Sequence, residues 1–437
     1  MFVPAPEIFK AYDIRGIVDK TLTVEAVRAI GHALGSEAVA RNQKAIAVGR
    51  DGRLSGPALA GALADGIRAA GVDVIDVGCV PTPLTYFAAY ELGTNSCVSV
   101  TGSHNPPDYN GLKMVLGGQT LFGELIQALR QRIIDGDLVT AAQPGKLTQA
   151  DVVPAYIEKI VGDVKLSRPM KVVMDCGNGV AGAVAPELFK RLGCELVELF
   201  CEVDGHFPNH HPDPSKPENL ADVIRALRDT DAEIGLAFDG DGDRLGVVTK
   251  DGEIIYDVKC TRNLAGWIKA RGGKPTMWNT GHALVKAKLK ETGAPLAGEM
   301  SGHVFFKERW YGFDDGLYTG ARLLEIVSRH ADANPLLKGL PDAVSTPELN
   351  IKMNEGEPFA LVDKLKAEAR FEGAESILTI DGVRVEYADG FGLARPSNTT
   401  PVVVLRFEAD NEAAIARIQA DFRRAIEAVW PGVQLPF

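Results

Sequence analysis

Short apolar runs ending in glycine-rich loops alternate with helix-period segments through most of this 437-residue chain, which restricts it to βα units around mainly parallel sheets. Ala45–Val48, Val72–Val77 and Cys97–Val100 are expected strands of a first unit, and Lys171–Asp175, Glu195–Leu199 and Ile234–Phe238 of a second. Helices are expected at Gly56–Ala70, Ala181–Leu192 and Glu218–Asp229. A third unit places a strand at Thr276–Trp278 and a helix at Leu317–His330. The tail changes character. Strands at Thr346–Met353, Ser376–Ile380, Val383–Tyr387 and Val402–Phe407, with helices near Phe359–Arg370 and Glu412–Val429, describe an α+β module. The length exceeds one ordinary core and suggests roughly three or four domains; the changes of pattern divide the chain into 1–150, 151–253, 254–341 and 342–437. Ligands of such sheets collect at the carboxyl ends of strands, where Ser103 and Asp239 fall.

A formal net charge of −11 argues against a nucleic-acid or membrane-surface binder, so an anionic ligand must meet a local basic pocket. The six cysteines form no CxxC pair, which indicates neither a disulfide framework nor a zinc site and points to a reducing cytoplasm. No signal-like N-terminus and no run of 18 uncharged apolar residues is present, so neither export nor a membrane span is expected. Asn398-Thr-Thr400 matches a glycosylation sequon, but is read as a ligand or turn loop.

Two loops carry chemistry together. Asp239-Gly-Asp-Gly-Asp-Arg244 places three carboxylates at alternate positions, able to face one cation from an extended loop. Two carboxylates within about 4 Å repel by about 4 kcal/mol at an effective dielectric of about 20, so three need a compensating ion. Oxygen-only ligands select magnesium or calcium. A calcium loop fails, because Arg244 and Lys250 stand where glycine and glutamate are required. An acidic glycine-rich loop alone is usually a solvated turn, but here the buried run Ile234–Phe238 delivers it. Thr101-Gly-Ser-His-Asn-Pro-Pro107 offers a hydroxyl, Ser103, that can carry a phosphoryl group. Ser103 alone would read as a turn residue; Gly102 permits close approach to phosphate, while His104 and Lys113 add groups suited to proton exchange and charge. The pair of loops suggests phosphoryl transfer, with the metal neutralising charge on the transferring group.

Gly298-Glu-Met-Ser-Gly-His303 spaces Glu299 and Ser301 so that both can face one ligand from an extended loop. Arg395-Pro-Ser-Asn-Thr-Thr-Pro401 gathers a guanidinium, hydroxyls and an amide between two prolines, the makings of a phosphate cradle. With these four motifs the chain resembles the α-D-phosphohexomutase superfamily, on its bacterial phosphomannomutase/phosphoglucomutase side. The resemblance implies three mixed α/β sheet domains around a cleft plus a C-terminal α+β domain. It implies a phosphoserine at Ser103, and Mg²⁺ on Asp239, Asp241, Asp243 and one phosphate oxygen of Ser103. Arg15, in Tyr12-Asp-Ile-Arg15, is carried over as an electrostatic stabiliser, and Arg244 is given a similar role. Which of Arg15, His104 and Lys113 takes the sugar proton stays open. Glu299 and Ser301 are carried over as readers of sugar hydroxyls, and Arg395, Ser397, Asn398 and Thr399 as the phosphate loop. Tyr12, Lys259, His282 and His303 complete the expected substrate-binding set.

The implied reaction reversibly converts hexose 6-phosphates and 1-phosphates, of mannose and glucose, through a hexose 1,6-bisphosphate that reorients in the cleft. Glucose 1,6-bisphosphate is the expected phosphorylating activator, hexose phosphates the expected partners, and a monomer the expected state. Phosphoglucosamine mutases typically carry Gln where Met300 stands, which makes that activity the nearest rival. A metal-dependent sugar phosphohydrolase and an inactive sugar-phosphate-binding variant are the others. One departure is notable: Val247–Tyr256 runs directly into Asp257–Arg262, where relatives place a further helix and the start of a strand. The shortfall is about 20 residues, roughly one helix, one short strand and a turn, so the third domain is expected to lack a helix and to be weakened.

Overall fold

A computed structural model describes residues 3–249, 254–255, 261–332, 334–338, 343–354, 356–397 and 400–437. The chain divides into two compact units, one of residues 1–257 and 282–339, the other of residues 258–281 and 340–437.

The first unit contains two large sheets. In the first, the order is Ile14–Ile17, Tyr109–Leu116, Cys97–Val100, Ala45–Arg50, Asp73–Cys79 and Leu147–Gln149, with Gln119–Thr120 also pairing to Tyr109–Leu116. The run from Cys97–Val100 to Leu147–Gln149 is parallel, and the two strands before it are antiparallel. The helices Val24–Ala40 and Gly56–Ala69 bury Val27, Ile30, Leu34, Leu59, Leu63 and Ile67 against Ile46, Val48 and Val74. Thr23 caps the first of these helices, its hydroxyl accepting from the Ala26 amide at 3.2 Å.

The second sheet runs Ile254–Ile255, Leu245–Thr249, Ile234–Phe238, Met170–Asp175 and Cys194–Leu199. Ile234–Phe238 is buried along its whole length, as its uninterrupted apolar character requires of a central strand. It runs parallel to Met170–Asp175 and antiparallel to Leu245–Thr249, so residues 239–244 form the loop of a hairpin closed by the pair Phe238 and Leu245. Helix Ala221–Asp229 covers one face through Val223 and Leu227. Phe189, Leu317, Ala321 and Leu324 cover the other, in a core continuous with Leu84, Phe87, Tyr156 and Trp310.

The rest of this unit holds the hairpin Leu296–Gly298 with Val304–Phe306, the helix His282–Thr292, and the helix Gly316–Val327 in place of the expected Leu317–His330. No strand forms at residues 276–278, contrary to the sequence expectation. A strand needs a paired neighbour; Met277 and Trp278 instead line a small cavity with Leu378, Ile380 and Leu393.

In the second unit the antiparallel order is Val344–Ser345, Val402–Ala409, Gly390–Pro396, Val383–Tyr387 and Ser376–Leu378, with Leu349–Lys352 also on Val402–Ala409. Helices Glu357–Glu368 and Glu412–Val429 cover it, packing Leu361, Leu365, Ile418 and Phe422 against Val385, Val403, Leu405 and Phe407. Helix Arg262–Ala270 belongs to this unit and buries none of its residues. The Arg262 amide donates to Glu408 Oε1 at 3.0 Å, and the Arg262 guanidinium pairs with Asp410 at 3.3 Å.

Candidate active site

The loop carrying Ser103 leaves the carboxyl end of the buried strand Cys97–Val100 and is held in shape by two residues that the motif reading missed. Asp51 Oδ2 accepts from Thr101 Oγ1 at 2.8 Å and from the Gly102 amide at 3.0 Å. Arg53 is 1 % exposed, and its guanidinium donates to the carbonyls of Ser103, Asn105, Pro106 and Tyr109 at 2.6–2.9 Å. A Cβ on residue 102 would lie 2.3 Å from Arg53 Nε, so only glycine lets the guanidinium sit there. Ser103 itself has φ of +48°, a conformation costing about 1–2 kcal/mol in a non-glycine residue. The Thr101 hydroxyl accepting from the Ser103 amide at 2.8 Å, together with the Arg53 bonds, compensates. Asp51-Gly-Arg53 is legible in sequence only as a turn. Its signal is an acid and a base flanking glycine at the carboxyl end of a buried strand.

Ser103 Oγ donates to Asp239 Oδ2 at 3.0 Å and lies 3.1 Å from His104 Nδ1. Gly240 lets the two loops meet: a Cβ there would be 2.4 Å from the Ser103 carbonyl oxygen. Asp239, Asp241 and Asp243 are fully buried and each offers an oxygen, these atoms lying within 4.8 Å of one another. Lys113 Nζ bridges Asp241 and Asp243 at 2.8 and 2.5 Å, and Thr82 Oγ1 donates to Asp241 at 2.6 Å. Burial, then the charges of Asp241 and Asp243, push Asp239 well above the usual carboxylate range. For Asp241, burial and Asp243 act upward, but the Lys113 ammonium and the Thr82 hydroxyl hold it below its ordinary value. Asp243 is also held low, Lys113 outweighing its burial.

The donor set fits a hard divalent cation. All the ligand atoms are oxygens, the carboxylates outnumber the ammonium between them, and Asp241 Oδ1 and Asp243 Oδ1 are buried without a hydrogen bond.

Arg15, on the strand Ile14–Ile17, pairs with Asp13 at 2.5 Å and donates to Asn105 Oδ1 of the serine loop. Tyr12 is half-buried just before that strand. Burial, followed by the charges of Arg244, Arg15 and Lys113, drives His104 well below its usual pKa, so it is neutral at pH 7. On the other side of the aspartates, the Arg244 amide donates to Asp239 Oδ1 at 3.2 Å. His303 Nε2 lies 3.4 Å from Asp243 Oδ1, and its Nδ1 lies 2.8 Å from Ser301 Oγ and 3.1 Å from Glu299 Oε2. Burial acts downward on His303, but Asp243 prevails and pushes it up to about 9. His282 opens the helix His282–Thr292, 3.6 Å from Asp314; burial, then Lys286 and Lys113, hold it well below its ordinary value.

Thus Ser103, His104, Lys113, Arg15, the three aspartates, Arg244, Glu299, Ser301, His303 and His282 belong to the first unit, most of them in one contiguous polar network. Arg395 and Ser397 belong to the second unit. There Arg395 Nε and the Thr280 amide both donate to Asp381 Oδ2, at 3.0 and 2.9 Å. Ser397 Oγ lies 3.0 Å from Thr400 Oγ1 and accepts from the Thr400 amide at 3.2 Å. Lys259, Asn398 and Thr399 lie outside the described residues, as does most of the shortened junction around Tyr256.

Four family models match in chain order. They are described as phosphoglucomutase/phosphomannomutase alpha/beta/alpha domain I at residues 6–139, domain II at 154–252, domain III at 243–343, and the C-terminal domain at 348–425. A phosphoglucomutase of Neisseria gonorrhoeae is 56% identical, the alignment covering 97% of this chain and 98% of that one. The phosphomannomutase/phosphoglucomutase of Pseudomonas aeruginosa PAO1 is 53% identical, with 98% and 97% covered. Among solved structures, a phosphoglucomutase/phosphomannomutase family protein from Burkholderia thailandensis is 62% identical, with a TM-score of 0.94 and complete coverage of both chains. The alignment to the Neisseria protein spans 453 positions against a chain of 437 residues, so at least 16 positions face gaps in this chain.

Proposed function

Because the chain belongs to the phosphoglucomutase/phosphomannomutase family and so interconverts hexose 6-phosphates and hexose 1-phosphates reversibly, we propose that Ser103 is the residue that carries the phosphoryl group between substrate positions. The observation that carries this reading is the 3.0 Å contact of Ser103 Oγ with Asp239, beside Asp241, whose Oδ1 is buried without a hydrogen bond. Mannose and glucose phosphates are the proposed substrates, as the names of the relatives suggest. Those names do not favour a phosphoglucosamine mutase or a phosphohydrolase.

Asp239, Asp241 and Asp243, with one oxygen of the phosphate on Ser103, would hold Mg²⁺, which when bound neutralises charge on the phosphoryl oxygens and on the departing serine oxygen. In the forward half-reaction the free hydroxyl oxygen of the sugar attacks phosphorus and the bond from phosphorus to Ser103 Oγ breaks. The hydroxyl proton passes to a base, and a hexose 1,6-bisphosphate results. His104 is the proposed base, since it is neutral and 3.1 Å from the serine oxygen, whereas Lys113 is held protonated by Asp241 and Asp243 against the effect of burial. Arg15 and Arg244 stabilise charge around the transfer. Arg395, Ser397, Asn398 and Thr399 are proposed to take the non-reacting phosphate. Glu299 and Ser301 would read sugar hydroxyls, with Tyr12, Lys259, His282 and His303 as further substrate contacts. The bisphosphate then reorients, its other phosphate returns to Ser103, and the isomeric monophosphate leaves. Glucose 1,6-bisphosphate would phosphorylate the serine initially. A cytoplasmic monomer is proposed, because every motif occurs within one chain and the described cysteines are free.

Intact-mass measurement before and after incubation with glucose 1,6-bisphosphate tests the carrier. The wild type is expected to gain one phosphoryl mass and Ser103→Ala none, with mutase kcat reduced at least about 1,000-fold in the variant. Retention of the phosphoryl mass in the alanine variant would remove Ser103 from the mechanism.

A further inference from the structure

Away from the serine and metal loops, the first unit contains a cavity of about 300 Å³ between the first sheet and the segment around the helix His282–Thr292. That is the lower end of the size range for small-molecule sites. One wall is aromatic: the rings of Tyr311 and Phe313 lie parallel within 3°, their centroids 5.8 Å apart, and Tyr86 adjoins Phe313 at 5.6 Å. Three of the remaining groups are cationic, beside the neutral Asn95 and Thr120. Lys286, Lys290 and Lys307 line the cavity, and no carboxylate is among the described residues that do so. Tyr86 is 3 % exposed and its hydroxyl is buried without a hydrogen-bond partner, a donor that the protein itself leaves unused.

We propose that this cavity is a second ligand site, for a small planar aromatic anion whose ring stacks on the Tyr311 and Phe313 wall while its charged group meets the lysines and the Tyr86 hydroxyl. A flat ring matches flat walls, and Lys290 and Lys307, added to a Lys286 already paired with Asp314, favour a negative charge. The site is wired to the catalytic carboxylates. Lys286 Nζ lies 4.3 Å from the Tyr86 ring centroid and 2.9 Å from Asp314 Oδ1. Asp314 Oδ2 is 4.0 Å from His303 Nε2, which is 3.4 Å from Asp243 Oδ1. An anion that draws on Lys286 leaves Asp314 freer to attract His303, and so alters how firmly His303 engages Asp243. Occupancy therefore modulates cation affinity at the aspartates, an effect that rests on the metal reading above; binding in the cavity does not.

The probe is 2-naphthoate, titrated by its fluorescence and by ligand-observed NMR against the whole protein, with 2-naphthalenemethanol and cyclohexanecarboxylate as controls lacking charge or ring. One saturable site per chain is expected, with both controls weaker. Lys290→Glu/Lys307→Glu, changed at exposed positions, is expected to weaken binding roughly tenfold, and Tyr86→Phe severalfold, both with basal mutase activity retained. Mg²⁺ and 2-naphthoate are expected to shift each other's affinity by one common factor, about fivefold. Absent saturable binding, or binding that ignores both variants, overturns the site; binding without a reciprocal Mg²⁺ effect overturns the coupling. If the metal reading is what fails, mutase activity is independent of Mg²⁺ before any probe is added, which separates the two.

Discussion

Arg53 shows how a side chain distant in sequence from Ser103 can govern the loop that carries it. Its four carbonyl partners belong to one loop, so the guanidinium fixes that loop more tightly than any single backbone bond could. Arg53→Lys keeps the charge but not the planar fork. It is expected to cost about 2–4 kcal/mol in denaturant unfolding, with a fall in kcat, because buried carbonyls lose their donors. An unfolding midpoint unchanged from wild type would contradict that account. His303 gives a pH signature. Its folded pKa of about 9 exceeds the usual 6.5, so in chelator-treated protein its contribution is complete below pH 6.5 and is lost as pH rises through about 9. Thermal melts of His303→Gln are expected to lack that alkaline decline, and a persistent decline in the variant would assign it to another group.

At the scale of elements, the decisive contact is between two loops from different sheets. The Ser103 loop leaves a parallel strand and the aspartate loop closes a hairpin, and they touch where Gly240 meets the Ser103 carbonyl. A methyl group there must push the loops apart, since backbone oxygen cannot yield as a flexible side chain can. Gly240→Ala is expected to lower kcat about 100-fold, the order of loss from an ångström of misplacement, while the far-ultraviolet spectrum stays native. A near-normal kcat in steady-state assay would show that the loops have slack. The hairpin Leu296–Gly298 with Val304–Phe306 is a weaker element. Two strands are marginal alone, and its supporting cluster is small: Phe305 with Val285 and Leu289.

At the scale of the molecule, the shortened junction matters most. In sequence only residues 250–261 separate the strand Leu245–Thr249 from the helix Arg262–Ala270, and that helix buries none of its residues. Inserting a segment of roughly 20 residues, one helix with a short strand and a turn, at that junction is expected to raise Tm by about 4 °C or more, at roughly 2–4 °C per kcal/mol, and to increase mutase turnover. Equal Tm and turnover in scanning calorimetry and assay would show that the short form has made up the loss by other packing.

The residues proposed for the chemistry are legible one by one, because phosphoryl transfer admits few side chains and the family's motifs are local. Ser103, Asp239, Asp241, Asp243 and Lys113 are nominated by spacing and neighbours together with the family resemblance. The parallel sheets were equally legible, since a strand buried on both faces, such as Ile234–Phe238, must be continuously apolar. Asp51 and Arg53 were not, because their function lies in bonds to a loop some 50 residues away in sequence, and no local pattern encodes such a partner. Residues 276–278 misled for the same reason: a strand is a relation between two segments, and local apolar character states only one side of it. Local motifs are enough to identify the family's chemistry, whereas the distant side chains that hold the Ser103 loop emerge with folding, because long-range contact is a property of the packed chain and not of any stretch of it.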